Sequence, residues 1–374
     1  MKKNLASIEI SYIVKELNEL IDSKLDKIYH IGKNVFLFQF HITGKGKKIL
    51  RISVPDYLFI TDYKGEAPET PSQFCMILRK NLEQARLRSI KQLHSERIIE
   101  LLFEKQEKRK VFIELFNQGN LLICDENDVI ISALLKKKWK DRTIRGGIKY
   151  EFPKREIDFF DLNEKELENL FKNTQKDSIV TCLAIELGLG GTYAEEVCLL
   201  AGVEKKAEPK QAIKKIDAIL KSVMGILNKK TKANYVINEN EIIDIVPFEL
   251  DNYKSFDKKY FKSYNEAADS YFSAEIKKTT KASNNEAYEN DIKKIEKIIS
   301  EQEKKIRMMQ DSINENSKKA ELIYSNYNLM KEIIEEIRKA RKKYSWKEIK
   351  EKLKNHSVIK EINEKEGKIT IEIK

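Results

Sequence analysis

The sequence predicts an α+β protein with a mixed N-terminal domain, a helical second domain and a long charged helical arm. Three observations lead there. Short runs rich in Phe, Val, Ile and Leu, separated by turn residues, follow an amphipathic helix through the first part of the chain. From about residue 160 the apolar spacing becomes helical and is interrupted by glycines. Beyond residue 285 a narrow apolar stripe runs through densely charged sequence. The 374 residues leave room for two or three domains, and the boundaries are placed at 1–157, 158–252, 253–340 and 341–374.

Ile10, Ile13, Val14, Leu17, Leu20 and Ile21 follow helical spacing and predict a first helix over 7–22. Strands are expected at 34–42, at 48–54 (stopped by Pro55) and at 58–61, with Thr43-Gly44-Lys45-Gly46 turning between the first two. Phe74, Ile77, Leu78 and Leu82 predict a second helix over 72–87. Further strands are expected at 97–103, 110–116 and 120–124, the last two joined through Asn117-Gln118-Gly119, with another at 129–135. Gly146-Gly147 and Pro153 close the domain. Leu162, Leu167, Leu170 and Phe171 then suggest a helix, followed by helices over 179–187 and 193–200. Gly188-Leu189-Gly190-Gly191 between the last two outlines a helix-hairpin-helix. The backbone N–H groups of Gly188, Gly190 and Gly191 can face a phosphate there. Equally, the glycines serve only to let two helices turn sharply.

Ile292, Ile295, Ile299, Ile306, Met309 and Ile313, then Ala320, Ile323, Tyr327, Met330, Ile333, Ile334 and Ile337, form stripes suited to a coiled-coil seam, where two copies could associate, or to a helical arm. Ser345-Trp346-Lys347-Glu348 is a capping box that opens a short helix. The chain closes on a strand-like run over 368–374, which reads as a cut boundary rather than a natural terminus.

Composition narrows the chemistry. Apolar residues at 41 % argue for packed cores and against a disordered chain, and the 35 % of charged residues exceeds the roughly 25 % of ordinary domains, as long solvated helices require. A formal charge of +11 favours a polyanionic partner, nucleic acid or an anionic membrane surface alike. Residues 4–21 are amphipathic, interrupted by Glu9, Lys15, Glu16 and Glu19, so they are not a signal peptide, and no window approaches the roughly 18 apolar residues of a membrane span. A cytoplasmic protein is expected. Cys75, Cys124, Cys182 and Cys198 stand alone, and the four histidines are scattered, so no metal site is expected. No phosphate-binding GxxxxGK[ST] loop or GxSxG nucleophile motif occurs, and neither catalysis nor a cofactor is expected.

Basic residues gather more usefully. Arg79, Lys80, Arg86, Arg88, Lys91 and Arg97 form one cluster, and Lys136, Lys137, Lys138, Lys140, Arg142 and Arg145 form another around Trp139. Such clusters are commonly solvated faces. Two in one folded domain, one interleaved with an aromatic ring, suit binding dominated by phosphate contacts.

Several short signatures then fall in a definite order. They are Leu78-Arg79-Lys80-Asn81-Leu82, Glu96-Arg97-Ile98-Ile99, Glu114 through Gly119-Asn120-Leu121-Leu122, Tyr150-x-x-Pro153, the 188–202 hairpin, Pro247-x-x-Leu250, Tyr264-Asn265-Glu266-Ala267, Ile323-Tyr324-x-x-Tyr327 and Ser345-Trp346-x-x-Ile349. Across nearly the whole chain this order resembles the NFACT family of ribosome quality-control factors, which includes the NEMF, RqcH and fibronectin-binding protein A-like proteins.

The resemblance implies an N-terminal domain similar in fold to formamidopyrimidine-DNA glycosylases, a helix-hairpin-helix domain, a coiled-coil arm and the start of a middle domain. It implies binding to large ribosomal subunits that carry a stalled peptidyl-tRNA. It also implies recruitment of tRNA, alanyl-tRNA above all, for tailing without mRNA, with bond formation left to the ribosome. A further coiled-coil segment and a C-terminal RNA-binding domain would lie beyond residue 374. The family's acidic residue in the first helix and its acidic-Arg pair match Glu9, Glu96 and Arg97. Both acids here are glutamate, one methylene longer than the aspartate of better-known members. Arg97 can grip a phosphate or stack on a base, with the carboxylate orienting it. Taken without the resemblance, Glu9 would only complement a helix dipole and Glu96-Arg97 would be an exposed pair. Two other readings follow from the same features, a DNA repair-like protein of glycosylase fold and an adhesin or structural coiled coil. Lys2 and Lys3, where the glycosylases carry their proline and glutamate, argue against the first.

Overall fold

Ile8, Ile10, Ile13, Val14 and Leu17 all turn their side chains into the core, and this makes Ser7–Leu17 a helix (α1). Burying each is worth roughly 1.5–3 kcal/mol before chain entropy is counted. The computed structural model describes residues 2–65, 68–139, 142–153, 155–354, 356–363 and 365–372, with the backbone alone over 279–291.

Behind α1 run β1 (Lys24–Ile31), β2 (Val35–Ile42), β3 (Gly46–Ser53), β4 (Tyr57–Thr61), α2 (Gln73–Leu82), β5 (Arg86–Gln92), β6 (Ile98–Glu104), β7 (Lys108–Glu114), β8 (Asn120–Cys124) and β9 (Ile130–Ala133). The strands form one antiparallel sheet in the order β4-β3-β2-β1-β5-β6-β7-β8-β9. Two meanders meet where Lys24 pairs with Arg86, and a large mixed α+β architecture results.

The expected helix over 72–87 is corrected at its end. Ser72 caps it, but it stops at Leu82, Gln84 takes φ +71°, and β5 begins at Arg86. Arg86, Arg88 and Lys91 therefore lie on a strand. β1 also goes beyond the sequence-based expectation; its alternation is diluted by Lys24, Asp26 and Lys27.

A short hairpin, β10 (Lys137–Lys138) and β11 (Thr143–Ile144), follows the sheet. Next come α3 (Glu164–Asn173), α4 (Ile179–Thr181), a π-helical turn over Cys182–Glu186, α5 (Gly191–Leu200), α6 (Pro209–Ala212) and α7 (Ile216–Leu227). A second sheet, absent from the expectations, has the order β13 (Glu241–Val246), β12 (Asn234–Asn238), β14 (Asp257–Tyr260). Glu239 and Asn240, both at positive φ, make the β12–β13 turn of the kind that matches strand twist.

α8 (Tyr264–Ser325) is positioned at its start by side chains far away in sequence. The Glu16 carboxylate accepts the Tyr264 and Asn265 N–H groups at 2.9 and 2.6 Å, satisfying first-turn donors. The Asn265 side chain in turn bonds both backbone groups of Ile60, which covers the edge strand β4. Tyr264, Ala267, Ala268, Tyr271 and Phe272 are buried, and Phe272 stacks on Tyr57 at 4.0 Å. The first compact unit extends to Lys278 and holds a large core shared by the sheet, α1 and the helical region, and a smaller one built on Phe112, Leu122, Ile130, Ile144 and Tyr150.

In the second unit, α9 (Tyr327–Arg341), α10 (Trp346–Lys352), β15 (Ile359–Asn363) and β16 (Lys368–Ile371) enclose a small core of Ile333, Ile349, Ile359 and Ile362. Glu348 accepts the Ser345 N–H at 2.8 Å and returns its own N–H to Ser345 Oγ, as the capping box requires. On α8, Ile292, Ile295, Ile299, Ile306, Met309 and Ile313 are exposed. Among the described residues no helix is long and apolar enough to cross a membrane.

Candidate nucleic-acid site

Glu9, in the first turn of α1, is fully buried. Its Oε2 accepts the Ala6 N–H at 2.8 Å, and its Oε1 accepts the Tyr193 hydroxyl at 2.9 Å and the Lys2 ammonium at 2.5 Å. Lys2 Nζ also donates to Asp244 Oδ1 at 2.8 Å and to the Ile245 carbonyl at 2.9 Å. Two carboxylates thus share one ammonium away from water. Burial alone would lower the Lys2 pKa, but Glu9 and Asp244 outweigh it and hold it at about 12, above the ordinary 10.5. Burial, opposed by Lys2 and reinforced by Asp244, pushes the Glu9 carboxyl up.

This arrangement predicts an alkaline weakness. A group whose pKa is raised in the fold stabilises it fully below the unfolded value and loses that contribution as pH rises through the folded one. For Lys2 the window is 10.5 to about 12, and the loss is about 2 kcal/mol. Tyr193 and Tyr264, raised by burial, act in the same direction. Urea midpoints across this window are expected to fall more steeply in the wild type than in Lys2→Met; parallel curves would remove Lys2 from the account.

The network forms part of the wall of a cavity of about 490 Å³, lined also by Lys3, Arg97, Arg155, Gly188 and Thr192. Arg97 stands at the entry to β6, fixed by its carbonyl, which accepts the Leu115 N–H at 2.8 Å. Its Nη2 donates to the Pro55 carbonyl at 3.2 Å, while its buried Nε has no partner. Burial lowers the Arg97 pKa against the pull of Glu9 and Asp56, and nearby Arg155 lowers it further.

Glu96 orients a different arginine from its neighbour in sequence. Its Oε1 accepts the Arg155 N–H at 3.0 Å and lies 3.3 Å from Arg155 Nε. Arg155 Nη1 then donates to the Ile185 carbonyl at 3.0 Å, beside the glycine hairpin. Gly188 has φ +87°, a backbone conformation that favours glycine, and a Cβ there would come 1.7 Å from Arg155 Nη1 and push the guanidinium from its place. Leu189 N–H and Gly190 N–H bond back to Leu183 and Ala184, closing the turn. α5 then starts at Gly191 without a side-chain cap. Its first N–H groups have no intrahelical acceptor and are available to an anion. Two guanidiniums, the Lys3 ammonium and a helix N-terminus thus converge on one cavity, a donor set suited to phosphate oxygens, while the three Lys2 donors are spent on Glu9, Asp244 and the Ile245 carbonyl.

Of the sequence-predicted residues, Arg97, Glu9, Gly188, Gly190 and Gly191 line this cavity, and Glu96 acts beside it through Arg155; the Gly190 N–H, expected to face a phosphate, is instead spent on the Ala184 carbonyl. The other basic residues lie elsewhere. Arg79 donates to the Ile28 carbonyl at 2.9 and 2.7 Å, Arg86 to the Asp22 carbonyl, and Arg88 pairs with Asp22 and Glu104. Lys80, Lys138 and Arg145 are exposed, Lys137 reaches Gln118, and Lys140 lies outside the described residues. Arg142 makes a buried pair with Glu114. Sequence reasoning missed Lys2 as a buried anchor, and Asp244, Tyr193 and Arg155 altogether. The positive-φ demand at Gly188 hints at a close neighbour there, but no spacing reveals that it is Arg155.

Among the described residues no group of three or more His, Cys, Asp or Glu side chains could hold a metal. The four cysteines are free and buried; burial raises Cys124 and Cys182 to about 12.

The family model for the NFACT N-terminal and middle domains matches residues 7–373. The chain is 32 % identical to the archaeal Rqc2 homolog aRqcH of Methanocaldococcus jannaschii, covering 100 % of this chain and 59 % of that protein. It is 22 % identical to the human ribosome quality control complex subunit NEMF, over 93 % of this chain and 35 % of that one. It thus spans between about a third and three-fifths of these relatives. Among solved structures, the fibrinogen binding protein from Staphylococcus aureus superposes with a TM-score of 0.58 at 20 % identity, over 71 % of this chain and 98 % of that one. The N-terminal part of the fibronectin/fibrinogen-binding protein from Streptococcus suis gives 0.58 at 19 %, over 72 % and 100 %. At these identities the two structures speak to the fold alone. The match over residues 7–373, together with the archaeal relative, establishes that the chain belongs to the NFACT family.

Proposed function

We propose that this chain is the tRNA-engaging N-terminal part of a cytoplasmic ribosome quality-control factor. It acts on large ribosomal subunits with stalled peptidyl-tRNA and supports alanine tailing, with the peptide bond made by the ribosome. The domain plan belongs to the same reading: a glycosylase-like domain over 1–157, a helix-hairpin-helix domain over 158–252, a coiled-coil arm over 253–340 and the start of a middle domain. The observation that carries it is the cavity where Arg97, Arg155, Lys3 and the N-terminus of α5 converge. The name of the human relative adds the ribosomal setting.

A repair-type lyase would need a neutral amine as nucleophile. The Lys2 side chain is instead an ammonium tied to Glu9 and Asp244 and offers no such amine.

Arg97→Ala tests the reading. A guanidinium with an unpaired buried Nε and one 3.2 Å bond contributes little to stability, so the urea midpoint is expected to stay near the wild type. Affinity for tRNA is expected to fall about tenfold or more, and the slope of log K against log salt to shrink by about one. Equal tRNA occupancy in mutant and wild type would defeat the proposal. Sequencing the RNA that co-purifies with the protein from its own cells is expected to return large-subunit ribosomal RNA and one enriched tRNA. DNA fragments alone would favour the repair-like reading.

A further inference from the structure

We propose that the aromatic pocket beside the β10–β11 hairpin takes one unstacked nucleobase of a single-stranded RNA segment whose phosphates run toward the Arg97 cavity. This rests on the RNA-binding reading above and adds to it a second subsite with a different chemistry.

The pocket has a volume of about 220 Å³ and is lined by Phe116, Gln118, Leu135, Lys137, Trp139 and Arg142, with Glu114 alongside. Trp139 is 41 % exposed, a large ring left in water where the core gains nothing from it. The Arg142 guanidinium lies 5.2 Å from the Trp139 ring centroid and 5.9 Å from that of Phe116. Glu114 holds Arg142 Nη2 through both oxygens, at 2.7 and 2.9 Å, so the guanidinium is fixed in place. Its Nη1 is buried with no hydrogen-bond partner, leaving donors for an acceptor that arrives from outside.

These groups match a base, with its π-face for the indole and its edge acceptors for Arg142 Nη1 and the Gln118 amide. Lys137 Nζ, 5.4 Å from the Trp139 ring centroid, sits on a flexible exposed stem and is displaced onto a flanking phosphate. Exposed Lys136, Lys138 and Arg145 supply further backbone contacts. An anionic lipid surface would suit the cations, but it offers no flat ring with edge acceptors to fill the recess between Trp139 and Arg142.

The pocket and the Arg97 cavity are linked through Pro55. A Cβ on Gly119 would come within 2.8 Å of Pro55 Cα, so the turn that carries Gln118 packs directly on Pro55. The Pro55 carbonyl accepts from Arg97 Nη2. Both sites therefore border the same junction, and one strand can engage both.

The chain has two tryptophans, so Trp346→Phe in the full chain makes Trp139 the sole indole reporter. Titration with a single-stranded RNA hexamer is expected to quench Trp139, with the same midpoint that anisotropy of a labelled hexamer gives. An abasic hexamer of equal charge is expected to bind about tenfold more weakly, about 1.4 kcal/mol, and to leave the fluorescence unchanged. Trp139→Leu, at an exposed position, is expected to lose a similar tenfold with an unaltered salt slope, unlike Arg97→Ala. If RNA binds without quenching and Trp139→Leu binds as tightly as wild type, the base pocket is refuted while the RNA-binding reading survives. If no hexamer and no tRNA binds, both fall. A blue shift with phosphatidylserine vesicles and none of the RNA effects would overturn the pocket in favour of a membrane contact.

Discussion

Replacing Glu9 by alanine is expected to cost about 3–5 kcal/mol of folding stability, the range for removing one partner of a buried ion pair. The carboxylate has no exposure and serves three donors at once: the Ala6 N–H that starts α1, the Tyr193 hydroxyl on α5 and the Lys2 ammonium. Alanine leaves all three without that acceptor. Lys2 keeps Asp244 and the Ile245 carbonyl, which sets the expected loss within the range rather than beyond it. Glu9→Asp keeps the charge but is one methylene shorter and cannot reach all three donors together, so an intermediate loss is expected. The measurement is the urea midpoint at unchanged slope, which separates stability from compactness. A loss below about 1 kcal/mol for Glu9→Ala would mean that the three donors find other partners, and the account of the anchor would fail.

The same variant separates two roles that the sequence presents as one. Glu9, Glu96 and Arg97 read together as a tRNA-contacting set, yet of the three only Arg97 brings a guanidinium to the cavity wall. Glu9 acts by holding Lys2 and α5, and Glu96 acts by holding Arg155. Loss of RNA affinity in Glu9→Ala should therefore come with loss of stability, whereas in Arg97→Ala it should come alone.

Local patterns disclosed much of the fold. The α1 stripe, the β2–β3 and β7–β8 hairpins and the Ser345 capping box are all settled by contacts within a few residues, and each is found where spacing puts it, except that the helix expected over 7–22 ends at Leu17 and passes into a 3-10 turn at Asn18–Leu20. β5 was hidden because Arg86-Leu87-Arg88 continues the helical spacing of α2 by coincidence, and only the left-handed Gln84 breaks the register. β12 and β13 were legible in principle, since Asn238-Glu239-Asn240 between two short runs rich in Val and Ile is a hairpin signal. The candidate site was legible only where a single residue carries its own signal, as at Gly188 and Arg97. Its other half comes from pairs separated by 59 to 242 residues, Arg155 with Glu96 and Lys2 with Asp244. No periodicity encodes such pairs. Several family signatures also prove to be joints in the fold: Asn265 stitches α8 to the edge of β4, and Tyr150 donates to Glu114.

That last joint carries the second large expectation. Arg142→Ala is expected to lose about 3–5 kcal/mol, because Glu114, only 3 % exposed, would keep its charge with Tyr150 as its remaining side-chain partner. Burial already raises the Glu114 carboxyl against the pull of Arg142 and the Tyr150 hydroxyl, so the loss of water outweighs both partners, and the arginine is the stronger of the two. Replacing the whole cluster with apolar groups removes the buried charge along with its partner. A Glu114→Leu, Arg142→Leu, Tyr150→Phe chain is therefore expected to be at least 2 kcal/mol more stable than Arg142→Ala alone. Phe112, whose ring centroid lies 4.3 Å from that of Tyr150, keeps a ring to pack against. If the triple variant is no more stable than the single one, shape rather than charge burial governs the site. If it recovers as expected yet binds the RNA hexamer about tenfold more weakly than wild type, then the ion pair is there to hold a guanidinium beside Trp139, and the fold bears a buried charge for the sake of a ligand.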